Sequence, residues 1–406
     1  MQPTSKIFPL EGVIQHYSWG GQRFLPGLLG KINSTGQPYA EYWMGAHENA
    51  PSKVVLPDGS REPLDKFIRE LGNAALGEAV KSKFGRLPYL FKVLDVNDML
   101  SIQVHPLKTA AELEFAEENR KGIPLKTAAR NYNDDNHKPE LMFALSEFWL
   151  LHGFKNPSEL ENILNAVPEL GFLLPHWKHG GYEAIYRQVM EMDQQEVNKI
   201  LSPLMDRILP LYESGKLRKE EEDFWAAKAY KTFCKDGVID RGIFSIYFFN
   251  VVHLQPGQAI FQDAGILHAY LEGQNIELMA NSDNVLRGGL TEKKVDVAEL
   301  LKHVKFEAVE PAIISAEMDA SGEESFKTTA EDFELRRIIF ENRKPLVLNS
   351  NTTDIFFVAE GSINVSDSNT ALLLSKGDAM LSLNGAKVKF VPGEQRTVVY
   401  RATVPD

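Results

Sequence analysis

The chain of 406 residues has a single cysteine, Cys234. No disulfide can form within it, which excludes the small cross-linked secreted scaffolds and fits a reducing compartment. Positive charge is in deficit, with 44 Lys and Arg against 56 Asp and Glu and a formal net charge of −12. Nucleic acid and anionic lipid are gathered by long-range positive potential, so neither is an expected partner. A phosphorylated small molecule stays open, because a few local cations and backbone N–H groups suffice to hold it. The longest apolar stretch, residues 244–252, is too short to span a bilayer. The beginning, Met1-Gln2-Pro3-Thr4-Ser5-Lys6-Ile7, lacks the basic-then-apolar build of a secretory leader. These absences predict a cytoplasmic protein with no membrane partner.

What is present is an ordinary globular composition, 43% hydrophobic and 25% charged, in a length that suggests about two or three domains. Residues 1 to about 105 alternate short apolar runs with Gly, Pro and Asn, as in Leu87-Pro88-Tyr89-Leu90-Phe91-Lys92-Val93-Leu94-Asp95, which is a β pattern. Residues 109–120 open on a capping-type Thr109, carry Glu112 three positions later and are rich in helix formers, so a helix is predicted there. From 156 to about 236 the spacing turns helical, at 182–192, 193–212 and 220–233, and its scattered charges suit a solvated scaffold. Strand signals resume at 244–252 and run through His268 to Ala280, with a short helix at 297–303. Farther on, Asn384-Gly385 between two apolar-alternating runs predicts a hairpin. The expected division is a β core over 1–155 and 237–322, a helical domain over 156–236 and a C-terminal β domain over 323–406.

Two strand-like phrases flank the predicted 109–120 helix: Ser101-Ile102-Gln103-Val104-His105-Pro106 and Asn136-His137-Lys138-Pro139-Glu140. They put a Gln, two His, a Lys and a Glu where a metal site could be assembled. Side chains of an extended segment alternate faces, so Leu100, Ile102 and Val104 are expected in a core while Ser101, Gln103 and His105 share the opposite wall. The chain has 10 histidines, and a histidine alone most often satisfies a local hydrogen bond. Residues 258–279 add a further candidate ligand, His268, after a Gly turn.

The segments YNDDNHKPE (132–140) and HAYLEGQNIELMANSDNVLR (268–287) resemble the two signature segments of type I phosphomannose isomerases, the mannose-6-phosphate isomerase family. The likeness also takes in Tyr17-Ser18-Trp19-Gly20, Glu41-Tyr42-Trp43-Met44-Gly45-Ala46-His47 and residues 100–106, and so reaches to about Lys294. The helical region and the C-terminal unit correspond in order and length only. The resemblance implies a mainly β fold of cupin-type (jelly-roll) barrels with a helical insertion. It also implies one Zn2+ per chain, held by Gln103, His105, Glu140 and His268. Coordination chemistry agrees: two imidazoles and a carboxylate are a common catalytic zinc set, and a neutral amide oxygen leaves more of the ion's charge for Lewis-acid work.

The implied reaction interconverts mannose 6-phosphate and fructose 6-phosphate through an enediol, moving a proton between C2 and C1 without a redox cofactor. The implied partner is a phosphorylated hexose, and the chain is expected to be a monomer. Arg287 matches the family's assigned catalytic arginine. A guanidinium stays protonated, so its expected role is to stabilise developing negative charge, and the bland alternative is an ion pair with Asp283. Lys138 is a candidate base or substrate clamp, with Asp283, Glu277 and His137 competing as proton carriers. Ser101 and Lys293 match phosphate or substrate contacts, and Asp283 is grouped with them as substrate-binding.

The chain departs from the family pattern at three places. Gly288 stands for the usual Ala and loosens the backbone beside Arg287. Glu292 stands for the usual Pro and is expected to bring negative charge near the phosphate, and Glu48 stands where a proline commonly follows the His47 position. Two other readings share the residues: a cupin-type non-haem metal oxygenase, and a non-catalytic sugar-phosphate-binding protein.

Overall fold

The computed structural model describes residues 4–125, 127, 129–341 and 344–405. Among these, an 11-stranded, a nine-stranded and a four-stranded sheet carry the architecture, with their strands paired antiparallel. The strands Glu41–Gly45, Tyr89–Val96, His268–Ala280 and Glu140–Ala144 lie side by side in the largest sheet. Their register sets Trp43 opposite Lys92, Lys92 opposite Glu277, and Met279 opposite Glu140. Period-two alternation then sorts the side chains by face. Tyr42, Phe91, Val93, Leu278 and Phe143 point one way and pack on Phe357, Leu381, Tyr400 and Ala402 of the nine-stranded sheet. Phe143 and Tyr400 meet edge to face at 5.2 Å, a favoured aromatic geometry. On the opposite face Leu94, Met142 and Ala144 build a second apolar cluster, while Glu41, Trp43, Lys92, Glu277 and Glu140 gather the polar groups.

The nine-stranded sheet is closed by a strand from the far end of the sequence. Ile7–Glu11 sits between Ala379–Ser382 and Lys53–Val55, so the N-terminal segment belongs to the same sheet as the C-terminal strands. The outer face of this sheet, through Phe356, Val358 and Met380, packs on Val365, Val388 and Phe390 of the four-stranded sheet. A predicted hairpin is corrected here. Asn384-Gly385 does form a tight turn, with Ala386 N–H donating to Leu383 C=O at 3.0 Å and Gly385 at φ +72°. The flanking strands do not pair with each other, because Ala379–Ser382 stays in the nine-stranded sheet and Ala386–Pro392 crosses to the four-stranded one. The dipeptide reports the chain reversal, and burial of two apolar faces against each other decides the pairing.

The helices Pro157–Ala166, Leu174–Glu191, Gln194–Glu213 and Glu222–Phe233 follow the predicted helical stretch. Asn156 caps the first by accepting from Glu159 N–H, and Gly181 at φ 59° breaks the second. Their apolar stripes, including Leu160, Tyr186, Leu204 and Trp225, pack with Ile102, Val104, Trp149 and Leu151, behind the strand that carries Gln103. Two local predictions fail. Residues Gly242–Phe248 are helical, not strand, and all seven are buried, so no amphipathic period was there to read. The helix Lys108–Arg120 starts one residue early, with Leu107 at its N-cap and no side-chain cap, so Thr109 does not cap it. Among the described residues no helix is long and apolar enough to cross a membrane.

Candidate active site

The Gln103–Val104 strand is short but central, because Gln103 pairs with His268 on one side and Arg287 on the other. Ile102 and Val104 are buried in the core as alternation requires, while Ser101 and Gln103 face an open cleft. Leu100 packs on the Leu94 and Met142 apolar cluster as expected and also reaches the cleft wall. Beneath the floor, His105, Glu140 and His268 each offer a ligand atom, all within 4.8 Å of one another and all buried. His105 Nε2 lies 3.5 Å from Glu140 Oε1, and His268 Nε2 lies 3.3 Å from Glu140 Oε2.

The backbone fixes both imidazole tautomers. His105 Nδ1 lies 2.8 Å from Asn284 C=O and His268 Nδ1 lies 2.9 Å from Ile266 C=O, and a carbonyl accepts only if the nitrogen carries the proton. In the neutral ring the lone pair then sits on Nε2, and both Nε2 atoms are buried without a hydrogen-bond partner. Burial, with Lys138 adding to it, pushes the His105 imidazole down to about 4, so the ring is neutral at pH 7. Burial would also raise the Glu140 carboxyl, but the Lys138 ammonium, with Nζ 2.9 Å away, outweighs it and holds the carboxyl well below its usual range. Two lone pairs thus point at an ionised carboxylate. Three acceptors facing one another are tolerable only around a cation, and an N2O set of this kind suits a divalent ion such as zinc.

Above this floor the cleft has a volume of about 1320 Å³ and is lined by Trp43, Lys92, Ser101, Gln103, Lys138, Asp283, Arg287 and Lys293, among others. The Arg287 guanidinium makes no hydrogen bond or ion pair among the described residues, and burial alone lowers its pKa. The bland reading of Arg287 fails here, since Asp283 instead accepts from His47, at 3.2 Å, and from Asn49 Nδ2, at 2.7 Å. Burial raises the Asp283 carboxyl, but the contact with His47 and the charges of Lys138 and Lys92 bring it below its ordinary value. Lys293 is exposed at the same end of the cleft, with its pKa lowered by partial burial and by Arg287 nearby. The charge expected from Glu292 is taken up by an ion pair with Lys235.

His137 is drawn away from the cleft, 2.8 Å from Asp332, and does not line it. Glu277 is buried 2.7 Å from Lys92 Nζ. Burial raises its carboxyl against the pull of Lys92, while Lys92, between Glu277 and Glu41, is raised despite its own burial. The Lys92–Glu41 pair and His47 had no role in the sequence reading. The available signal was a lysine inside the apolar run Tyr89-Leu90-Phe91-Lys92-Val93-Leu94, since a buried charge in a strand needs a partner. Asn284 was missed as well. Its side chain accepts from Asn133 N–H and donates to Asp134 and Asn136 carbonyls, tying the two signature segments together while its own carbonyl orients His105.

Residues 7–157 match the family described as phosphomannose isomerase type I, catalytic domain. The mannose-6-phosphate isomerase of Escherichia coli (strain K12) is 36% identical over 385 residues, 92% of this chain and 94% of that protein. The chain belongs to the mannose-6-phosphate isomerase family. The Homo sapiens relative is 34% identical over 74% of this chain and 73% of its own. Among solved structures, the mannose 6-phosphate isomerase from Salmonella typhimurium bound to fructose 6-phosphate and zinc superposes with a TM-score of 0.88 at 32% identity, covering 99% of this chain and 100% of that one. The chain is accordingly an isomerase with a sheet-rich, antiparallel family fold.

Proposed function

We propose that this protein interconverts mannose 6-phosphate and fructose 6-phosphate through an enediol, with one zinc ion held by Gln103, His105, Glu140 and His268. The observation that carries the reading is the set of acceptors aimed at acceptors: two partnerless Nε2 atoms facing the Glu140 carboxylate. Zinc bound there supplies Lewis acidity toward the sugar oxygens, which acidifies the C–H beside the carbonyl. The remaining work falls to the chain. Arg287, an unpaired cation in the cleft, stabilises the negative charge that develops as the proton leaves. Lys138, as base or substrate clamp, and Asp283, as a competing proton carrier, line the cleft, whereas His137 is engaged elsewhere. Ser101 offers a hydroxyl and Lys293 a positive charge to the substrate's oxygens and phosphate.

The reading extends to a pair of cupin-type barrels, over 1–155 with 237–322 and over 323–406, with the Ile7–Glu11 strand lent to the second and a helical domain over 156–236. It extends equally to a cytoplasmic, monomeric chain. The test is turnover of mannose 6-phosphate in a coupled assay before and after chelation, alongside metal analysis. Turnover that disappears with the chelator and returns with zinc is expected. Stoichiometric iron with oxygen consumption, or binding of the sugar phosphate without exchange of its C2 proton, overturns the assignment.

A further inference from the structure

The segment that carries Arg287 is held from behind by a residue that lies outside the cleft. Its front side is fixed by the Gln103 strand, with Gly288 N–H donating to Ile102 C=O at 2.9 Å and Ile102 N–H to Gly289 C=O at 3.0 Å. Its back rests on residues 240–242, which follow the helical domain. Asp240 Oδ1 accepts from Leu290 N–H at 2.8 Å and from Gly242 N–H at 2.7 Å, and Oδ2 accepts from Thr291 N–H at 3.1 Å. Backbone meets backbone at this point: a Cβ on Gly289 would stand 2.5 Å from Gly242 Cα. Leu290 is wholly buried and adopts φ +52°, a conformation that costs a non-glycine residue of order 1 kcal/mol and persists only where its surroundings impose it. Asp240 bonds the amide of that residue and of the next, Thr291, so its carboxylate is what imposes the turn.

We propose that Asp240 is a positioning residue for the isomerisation: its carboxylate holds the Gly288–Thr291 turn against the Gln103 strand and thereby sets Arg287 and Lys293 at their places in the cleft. Arg287 has no other anchor for its head group among the described residues, so its aim depends on its backbone. Misplacement by about 1 Å of a group that stabilises a transition state can cost on the order of a hundredfold in rate. Asp240 itself does not line the cleft and touches none of His105, Glu140 or His268. Its loss should therefore act on turnover and on substrate affinity without acting on the metal. The inference rests on the isomerase reading above.

The experiment compares Asp240→Ala and Asp240→Asn with the parent, measuring kcat and KM for mannose 6-phosphate, bound zinc per chain and the thermal midpoint. An asparagine keeps the Oδ1 acceptor for Gly242 and Leu290 and gives up only the Thr291 bond. The expected result is a fall in kcat of at least about tenfold with a raised KM for Asp240→Ala, a smaller fall of about three- to fivefold for Asp240→Asn, and zinc content equal to the parent in both. A lowered thermal midpoint with kcat and KM per folded enzyme within twofold of the parent, in either variant that folds, shows a merely structural role and overturns the proposal. Loss of zinc in step with rate overturns it too. If the parent itself fails to turn over mannose 6-phosphate, the isomerase reading fails and the positioning role falls with it.

Discussion

The Nδ1 protons of His105 and His268 decide what the cleft floor can hold. Both are committed to backbone carbonyls, of Asn284 and Ile266, so each ring in its neutral form presents the Nε2 lone pair to Glu140. Changing His268 to Ala is expected to abolish zinc retention and turnover together, as seen by metal analysis and the coupled assay. Changing Arg287 to Ala is expected to leave zinc in place and lower kcat by about 10²- to 10³-fold, the usual cost of one preorganised charge-stabilising group. A kcat near that of the parent would remove Arg287 from the mechanism. Lys92 gives a stability test at the same scale. It is the cation between Glu41 and Glu277, and Lys92→Met leaves two buried carboxylates uncompensated, at a cost of about 3–5 kcal/mol by urea unfolding.

At the scale of elements, the glycine that follows Arg287 has a visible reason. A Cβ on Gly288 would stand 2.6 Å from the hydroxyl of Tyr186, a fully buried ring of the helical domain. Changing Gly288 to Ala should therefore cost about 1–3 kcal/mol of stability by overpacking, readable in urea, with a loss of kcat if Arg287 is displaced. Much of this site could be read from the sequence. Alternation placed Gln103 on the cleft wall, though it set His105 there too and that ring is buried below; the signature segments named Glu140 and His268, and the strand register supplied the convergence of all three ligands. Asp240 and Asn284 were beyond reach, because what they do is hydrogen-bond backbone groups from distant segments, and that leaves no periodic or compositional trace. The Gly242–Phe248 helix was misread for a related reason: every one of its residues is buried, and only the helices around it show that it is not a strand.

At the scale of the molecule, two buried imidazoles couple the fold to pH. His105 and His152 are both pushed down by burial to about 4, from the 6.5 of an exposed ring. The unfolded chain therefore binds up to two more protons than the folded one between those values. Their contribution is complete above pH 6.5 and is lost as pH falls toward 4. The slope is at most ~2.7 kcal/mol per pH unit when both differ by a full proton. The urea midpoint of the metal-free protein should fall between pH 6.5 and 4.5, and His152→Asn should flatten that dependence; an unchanged slope would mean His152 is not neutral in the fold.

The Ile7–Glu11 strand bears on how the molecule is made. One edge of it can pair early with Lys53–Val55, but its other neighbour, Ala379–Ser382, is made long after it, so an apolar segment with Ile7, Phe8 and Leu10 keeps that edge waiting. Closing so long a loop is entropically slow and leaves a sticky edge unpaired meanwhile. Nascent chains stalled before residue 379 should accordingly recruit holding chaperones, whereas released full-length chains should shed them.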